Sequence, residues 1–285
     1  MNVDYVGNGK VVLIAGGDKV YTDIAARFVG SERSLDDIIA SPYDKEIVKN
    51  ILNSGHYAAT EFDNFIFGVE GYSRVTEIQL VRKRIAEYLI KTGRKEKHGK
   101  RSFDMIIPES IADFKAMINI STDHIMSPNW RNKIINQFPD LKNDPLMMEF
   151  DILDLMRFTE DWYNQGIDAG YKEEDLRYGK QQATEFKAIF SMNAHGLMDW
   201  FKVRLCMNAQ EEIRDLATKT YKICMDVAPD LFAKAGPNCK FFGYCPEGEY
   251  QNPRCKGKIH TKEEVFNIVA EHDRQEKDIV TSIVG

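Results

Sequence analysis

Positive charge is in short supply in this chain. Its 38 lysines and arginines are outnumbered by 44 aspartates and glutamates, for a formal net charge of -6 at pH 7 with histidine neutral. That balance argues against a protein that coats nucleic acid, whose affinity comes from many spread-out cations neutralising phosphates. Long apolar runs are also missing: none approaches the roughly 18 residues needed to cross a bilayer. The opening MNVDYVGNGK carries an acid at Asp4 where an export signal would carry an apolar stretch. Cysteine is sparse, and five cysteines without an export signal read as reduced thiols or metal ligands rather than a disulfide framework. The expectation is a cytoplasmic protein with neither membrane nor nucleic acid among its partners. Internal repeats and low-complexity tracts are lacking too. What the chain does have is 43% apolar and 29% charged residues, the balance of an ordinary folded protein. Its 285 residues suffice for one large domain or two small ones.

The run KVVLIAGGD precedes a polar helical region that extends through Lys49. In NFIFGVEG, Phe65, Phe67 and Val69 alternate with Asn64, Ile66 and Gly68, which predicts a strand with one buried face. Gly71 ends it. Ser73 then caps a long helix in which Val75, Ile78, Val81, Ile85 and Leu89 recur at helical spacing, and the Gly93 region stops it. FDMIIP, after the charge-dense KEKHGKR, is another strand-like piece. From Glu109 to about Phe232 the pattern predicts mainly helix, broken at Ser127-Pro128, at Pro139 and at the turn from Gly166 to Gly170. The Gly-, Pro- and Cys-rich loop AGPNCKFFGYCPEGEYQNPRCKGKIH precedes a final charged helix, opened by Thr261 with Glu264 three residues on.

In so acidic a chain the stretch QLVRKRIAEYLIKTGR, residues 79–94, stands out. On a helix Gln79 and Arg82 share a face and would point together into a cleft, with Val81, Ile85 and Leu89 packed behind. Taken alone, Arg82, Lys83 and Arg84 are ordinary solvated charges. Arg177 in KEEDLRYGK has a surface pair with Glu173 or Glu174 as its bland interpretation, and His56 alone is an ordinary surface histidine. Arg204 differs, because it interrupts the apolar run WFKVRLCM on a helix expected to be buried, and a buried arginine needs an anion. Cys239, Cys245 and Cys255, with His260 nearby, lack the close paired spacing usual for zinc, so no metal site is expected. Cys206 and Cys224 lie on apolar helical stretches and are expected in the core. The methionines, Met147 and Met148 included, read as packing.

The strings GHYAATEF, NFIFGVEGYSR, QLVRKR with T-G-R after it, FDMIIP, LRYGKQQATEFKAIFSMNAHGLMDWFKVRL and NAQEEIRDLA follow one another in an order that resembles the flavin-dependent thymidylate synthases. The resemblance runs from about Lys49 to Phe232. That family's signature is R-H-R, two residues, Ser, then a loop with a second Ser and an Arg. Here Arg82, Arg84 and Arg94 are kept, while Lys83, Glu87 and Thr92 stand where the family has His, Ser and Ser, and Leu89 and Ile90 replace a polar pair.

The resemblance implies an α+β fold, several helices packed with a small, mostly antiparallel sheet, assembled as a homotetramer with active sites between subunits. It implies a catalytic domain over 1–235, with 236–285 as a Cys/Gly/Pro-rich loop and C-terminal helix. The implied activity is FAD-dependent reductive methylation of dUMP to dTMP, with 5,10-methylenetetrahydrofolate and NADPH as cosubstrates. By the same resemblance His56, Glu61, Arg82, Lys83, Arg84, Asn193, His195 and Asp199 face FAD. Gln79, Thr92, Gly93, Arg94, Arg177 and Arg204 face dUMP, with Arg204 polarising the uracil ring and Arg101 as an alternative to Arg94. Thr92 is a hydrogen-bonding loop residue and no protein nucleophile is required. The altered positions leave a related C5 product, such as a hydroxymethylated nucleotide, and a non-catalytic nucleotide- or flavin-binding homologue as alternatives.

Overall fold

In a computed structural model, residues 2–17, 20–91, 102–120, 136 and 146–284 are described. Their strands are β1 (Asn2–Tyr5), β2 (Lys10–Ala15), β3 (Asn64–Ser73), β4 (Glu87–Ile90), β5 (Asp104–Ile107), β6 (Lys115–Ile120), β7 (Leu146–Asp151) and β8 (Glu185–Asn193). The helices are α1 (Thr22–Gly30), α2 (Leu35–Ala40), α3 (Lys45–Ser54), α4 (Arg74–Leu80), α5 (Ile152–Asp168), α6 (Glu173–Leu176), α7 (Ala194–Arg204), α8 (Glu211–Val227), α9 (Pro229–Phe232), α10 (Asn238–Phe242) and α11 (Lys262–Val284). This is the expected mixture of helices with small sheets. The strands form a four-stranded sheet in the order β2-β3-β8-β4 and two pairs, β1 with β5 and β6 with β7. β2 with β3, β4 with β8 and β6 with β7 are antiparallel, whereas β1 with β5 is parallel. None of the described helices is long and apolar enough to cross a membrane.

Contacts divide the chain into two units, the first comprising Met1–Asn8, Ser73–Val75 and Lys91–Glu185, the second Gly9–Tyr72, Thr76–Ile90 and Phe186–Gly285. In the first, Phe103, Met105 and Ile107 pack with Met156, Tyr163 and Leu176. Asp151 starts α5 with a capping box, its carboxylate accepting from the N–H groups of Leu153 and Asp154, which satisfies donors that the helix itself leaves orphaned. Gly166 lets α6 approach, since a Cβ there would lie 2.4 Å from Leu176 Cδ2.

The second unit holds the larger core. β3 contributes Phe65, Phe67 and Val69 and β8 contributes Phe186, Ala188, Phe190 and Met192, all buried at every second position. Against them pack Leu197, Trp200 and Phe201 of α7 and Ile213, Leu216, Ala217 and Cys224 of α8. The Phe67 and Phe190 rings lie 5.2 Å apart between centroids, and Phe65 meets Phe232 edge-on at 5.3 Å. Asp63, 3% exposed, supplies the N-terminal cap of α1 from a distance. Its carboxylate accepts from the Tyr21 N–H at 2.6 Å, from the Thr22 N–H at 3.0 Å and from the Thr22 hydroxyl.

The strand expected at 64–71 is present with the predicted face buried, but the long helix from Ser73 to Gly93 is not. α4 stops at Leu80, residues 81–86 turn, and β4 pairs with β8, Tyr88 opposite Phe190. The reason is tertiary: the Tyr88 hydroxyl donates to the Leu80 carbonyl at 2.9 Å and lies 3.1 Å from the Lys83 carbonyl, closing the turn. Tyr88 and Ile90 thereby face the core, and Val81, Ile85 and Leu89, expected to pack, are 41%, 69% and 73% exposed. Burial, with the nearby Glu87 carboxylate, pushes the Tyr88 phenol up to about 12.

The mainly helical expectation for Glu109 to Phe232 is also corrected, because β6, β7 and β8 lie within it. Of its expected breaks, Ser127-Pro128 and Pro139 fall outside the described residues; α5 runs through Gly166 and the chain turns at Gly170, φ 84°. Cys224 is in the core as expected, whereas Cys206 is only half-buried. Thr261 and Glu264 form their capping box. Replacing Asp63 by alanine would strand the α1 donors, and Asp63→Ala is expected to lower stability by about 2–3 kcal/mol, measured by denaturant unfolding.

Candidate active site

Helix α7 carries a polar cluster at one end. Asn193 caps it, Oδ1 accepting from the Gly196 N–H at 2.7 Å, and the spacing of four residues sets His195 and Asp199 on one face. His195 Nδ1 lies 3.1 Å from Glu61 Oε1 and its Nε2 lies 3.9 Å from Asp199 Oδ2. The Tyr57 ring stacks on the imidazole at 5.7 Å between centroids. Asp199 also receives Lys202 at 2.9 Å and Lys83 at 3.6 Å. Lys83 reaches it because the turn after α4 passes over the helix N-terminus. A Cβ on Gly196 would lie 3.0 Å from Asn193 Oδ1 and 3.4 Å from the Ile85 carbonyl, so glycine makes this approach possible. Burial alone would raise the Asp199 carboxyl, but the hydrogen bond from Lys202 and the charges of Lys202, Lys83 and His195 hold it below the usual carboxylate range.

The other end of α7 has a different character. Arg204, half-buried in the last helical turn, donates from Nη2 to the Gln79 carbonyl at 3.1 Å and from Nη1 to Gln79 Oε1 at 3.4 Å. Burial lowers the pKa of its guanidinium, and the nearby Arg82 lowers it further. Among the described residues no carboxylate pairs with Arg204 or Arg82. Two cations side by side, one of them bonded only to neutral carbonyl oxygens, would be stabilised by an anion with several acceptor oxygens. The eleven residues of α7 separate the two ends by roughly 15 Å, enough for two adjoining ligand groups.

The fold thus brings together Glu61, Lys83, Asn193, His195 and Asp199 as one group and Gln79, Arg82 and Arg204 as another. Gln79 bonds Arg204 directly, and Arg82, in the turn after α4 rather than on one long helix, is near enough to lower the Arg204 pKa. His56, exposed, precedes the short 3₁₀ turn Tyr57–Phe62, and Arg84 is exposed in the turn after α4. Arg177 belongs to the first unit, where it is exposed and starts a 3₁₀ turn. Thr92, Gly93, Arg94 and Arg101 lie outside the described residues. Tyr57 and Lys202 were not among the residues singled out from sequence. Lys202 follows Asp199 by three helical positions, a spacing that signals an ion pair.

A sheet backed by α7, with matched charges at one end of that helix and arginines without a carboxylate partner among the described residues at the other, makes this an α+β protein with two polar groups placed by one helix. The model of the family described as "Thymidylate synthase complementing protein" matches residues 13–230, and the chain belongs to that family. It is 32% identical over 240 residues to the flavin-dependent thymidylate synthase of Pyrococcus furiosus, covering 81% of this chain and 84% of that protein. The flavin-dependent thymidylate synthase of Nitratidesulfovibrio vulgaris is 34% identical over 202 residues, 71% of this chain and 72% of that one. The fold is also that of a solved structure, the UMP/dUMP methylase PolB from Streptomyces cacaoi bound with 5-Br dUMP. The TM-score is 0.59 at 15% identity, covering 83% of this chain and 98% of that chain.

The lowered Asp199 pKa has a signed consequence. An acid more acidic folded than unfolded stabilises the fold above the ordinary aspartate value of about 3.9, and that contribution fades as pH falls through the lowered folded value. Asp199→Asn should flatten the acid limb of a plot of melting temperature against pH; an unchanged limb would remove Asp199 from this role.

Proposed function

We propose that this enzyme methylates dUMP at C5 to give dTMP, with FAD bound, methylenetetrahydrofolate as one-carbon donor and NADPH as reductant. The observation that carries the proposal is the Arg204–Arg82 couple, anchored on Gln79 and without a carboxylate partner among the described residues. The names of the flavin-dependent thymidylate synthase relatives and of the dUMP methylase with the same fold support the choice of reaction.

The donor set fits both groups. A nucleotide monophosphate offers a dianionic phosphate and planar carbonyl acceptors, and the arginine fork meets either with directional, charge-assisted bonds. Arg204 would draw electron density from the uracil carbonyls, making C6 easier to attack and C5 easier to functionalise. Gln79 holds Arg204 in place for this. Arg82, Arg84, Lys83, His56, Glu61, His195 and Asp199 would hold the flavin. Asn193, whose Oδ1 is engaged by the helix cap, has its amide N–H groups left to donate to it. When bound, FAD supplies the redox step and relays hydride from NADPH, while the protein supplies orientation and charge.

We assign this chemistry to a catalytic domain over 1–235, assembled as a homotetramer. Support for assembly comes from the exposed apolar residues of the sheet edge and its neighbours: Leu89 pairs with Ile189 in register and the two are 73% and 43% exposed, beside Val81 and Ile85.

Purified protein should show, or acquire on adding FAD, a flavin absorption spectrum. Incubation with dUMP, methylenetetrahydrofolate, FAD and NADPH should yield dTMP; a hydroxymethylated product would change the proposed reaction, and no flavin uptake would remove the catalytic proposal. Arg204→Ala is expected to lower turnover by at least about 100-fold with the oligomer unchanged by light scattering. Wild-type rates in that variant would contradict the role given to Arg204.

A further inference from the structure

A small recess lies beside His195 of α7. Its buried lining is Met198, Ala235 and Gly236, the rings of Tyr57 and Phe241 add aromatic surface, and Lys202 and Lys234 bring two ammonium groups. Lys234, Ala235, Gly236 and Phe241 come from the chain past residue 230, where the family match ends, so the matched residues do not form this recess by themselves.

Its parts are held in place. The Tyr57 ring stacks on the His195 imidazole at 5.7 Å between centroids, and its hydroxyl donates to the Leu52 carbonyl at 3.4 Å. Lys240 donates from Nζ to the Ala233 and Ala235 carbonyls at 3.3 and 2.8 Å, which fixes the turn that carries Lys234. Lys202 Nζ lies 4.6 Å from the Phe241 centroid and 5.9 Å from that of Tyr57, so one ammonium joins the two rings.

The charge of the recess is one-sided. None of the residues lining it is acidic. Asp199, next to it, is already met by Lys202 at 2.9 Å and Lys83 at 3.6 Å, and Glu61 by His195 at 3.1 Å. Lys234 is exposed, and among the described residues its ammonium has no ion pair. Apolar lining, two rings and two ammonium groups suit an anion carried on an aromatic body. Ammonium groups act as point charges and lack the arginine fork that meets phosphate bidentately, which favours a carboxylate in so small a space.

We propose that this recess takes the aromatic, carboxylate-bearing arm of the one-carbon donor, its benzoyl ring against Tyr57 and Phe241 and a glutamate carboxylate on Lys234 and Lys202. The inference rests on the methylation reading given above: of the small molecules in that reaction only the folate carries carboxylates, whereas dUMP, FAD and NADPH carry phosphates. It sets the donor beside His195 and Asp199, the residues assigned to the flavin, and transfer between the two groups needs them close.

The test is calorimetric binding of tetrahydrofolate to the full chain with FAD added, beside its bis-amide, in which both glutamate carboxylates are neutral. Wild type should bind tetrahydrofolate more tightly than the bis-amide. Lys234→Gln should raise the dissociation constant for tetrahydrofolate about 5-fold and leave that of the bis-amide unchanged, while Lys258→Gln, an exposed lysine elsewhere on the segment, should alter neither. Phe241→Ala should weaken both ligands, since both keep the ring. In turnover, Lys234→Gln should raise KM for methylenetetrahydrofolate with kcat retained. Equal tetrahydrofolate affinity in Lys234→Gln and wild type, or no binding by wild type, would overturn the proposal. Loss of flavin or a raised KM for NADPH in Lys234→Gln would also overturn it, by showing that the recess holds a phosphate. The expected binding pattern without formation of dTMP would keep the recess as a folate site and remove only the methylation reading.

Discussion

The geometry of the site depends on how helix α7 begins. The Ala194 N–H donates to the Asp63 carbonyl at 2.7 Å while Asn193 caps the next turn. Asp63 also caps α1 through its carboxylate, so one buried residue ties the start of α1, the 3₁₀ turn that precedes it and the start of α7. Glu61 lies two residues before Asp63. Its 3.1 Å approach to His195 follows from this tie, because both side chains project from backbone fixed at the same point.

Once α7 is fixed, its buried face does the rest. Leu197, Trp200 and Phe201 pack into the aromatic core formed by β3 and β8, which leaves His195, Asp199 and Lys202 on one side and carries Arg204 to the far end. The two ends treat charge differently. At the first, Asp199 is shared by Lys83 and Lys202 and the charges compensate internally. At the second, Arg204 spends its hydrogen bonds on neutral oxygens beside Arg82. A half-buried guanidinium bonded only to neutral oxygens leaves its charge without a partner among the described residues, and this contrast, rather than the number of basic residues, distinguishes the two ends of the helix.

Much of this was legible in sequence where one local force dominates. The alternation of Phe65, Phe67 and Val69 predicted β3 because one face of that strand is fully buried. Arg204 was conspicuous because a charge within an apolar run has few explanations. The helix expected over 73–93 failed because Val81, Ile85 and Leu89 match helical spacing while the deciding contacts, from the Tyr88 hydroxyl and from β8, come from tertiary structure. β8 was missed although Phe186, Ala188, Phe190 and Met192 alternate: the helical pattern that begins at Ala194 runs on directly from it and obscures the change of period.

The departures from the family signature gain meaning from where they meet. By the resemblance Lys83 stands where the family has a histidine, and in the structure it faces Asp199 at 3.6 Å. A cation introduced alone beside the α7 N-terminus would face the helix dipole unfavourably; with Asp199 opposite, the pair is close to neutral. Glu87 is not part of this arrangement: it sits exposed on β4, opposite Ser191, so its carboxylate does not demand a partner within the cluster. The charge that Lys83 brings to the α7 N-terminus is thus balanced within the cluster, while the arginines at the other end of α7 keep no carboxylate partner among the described residues.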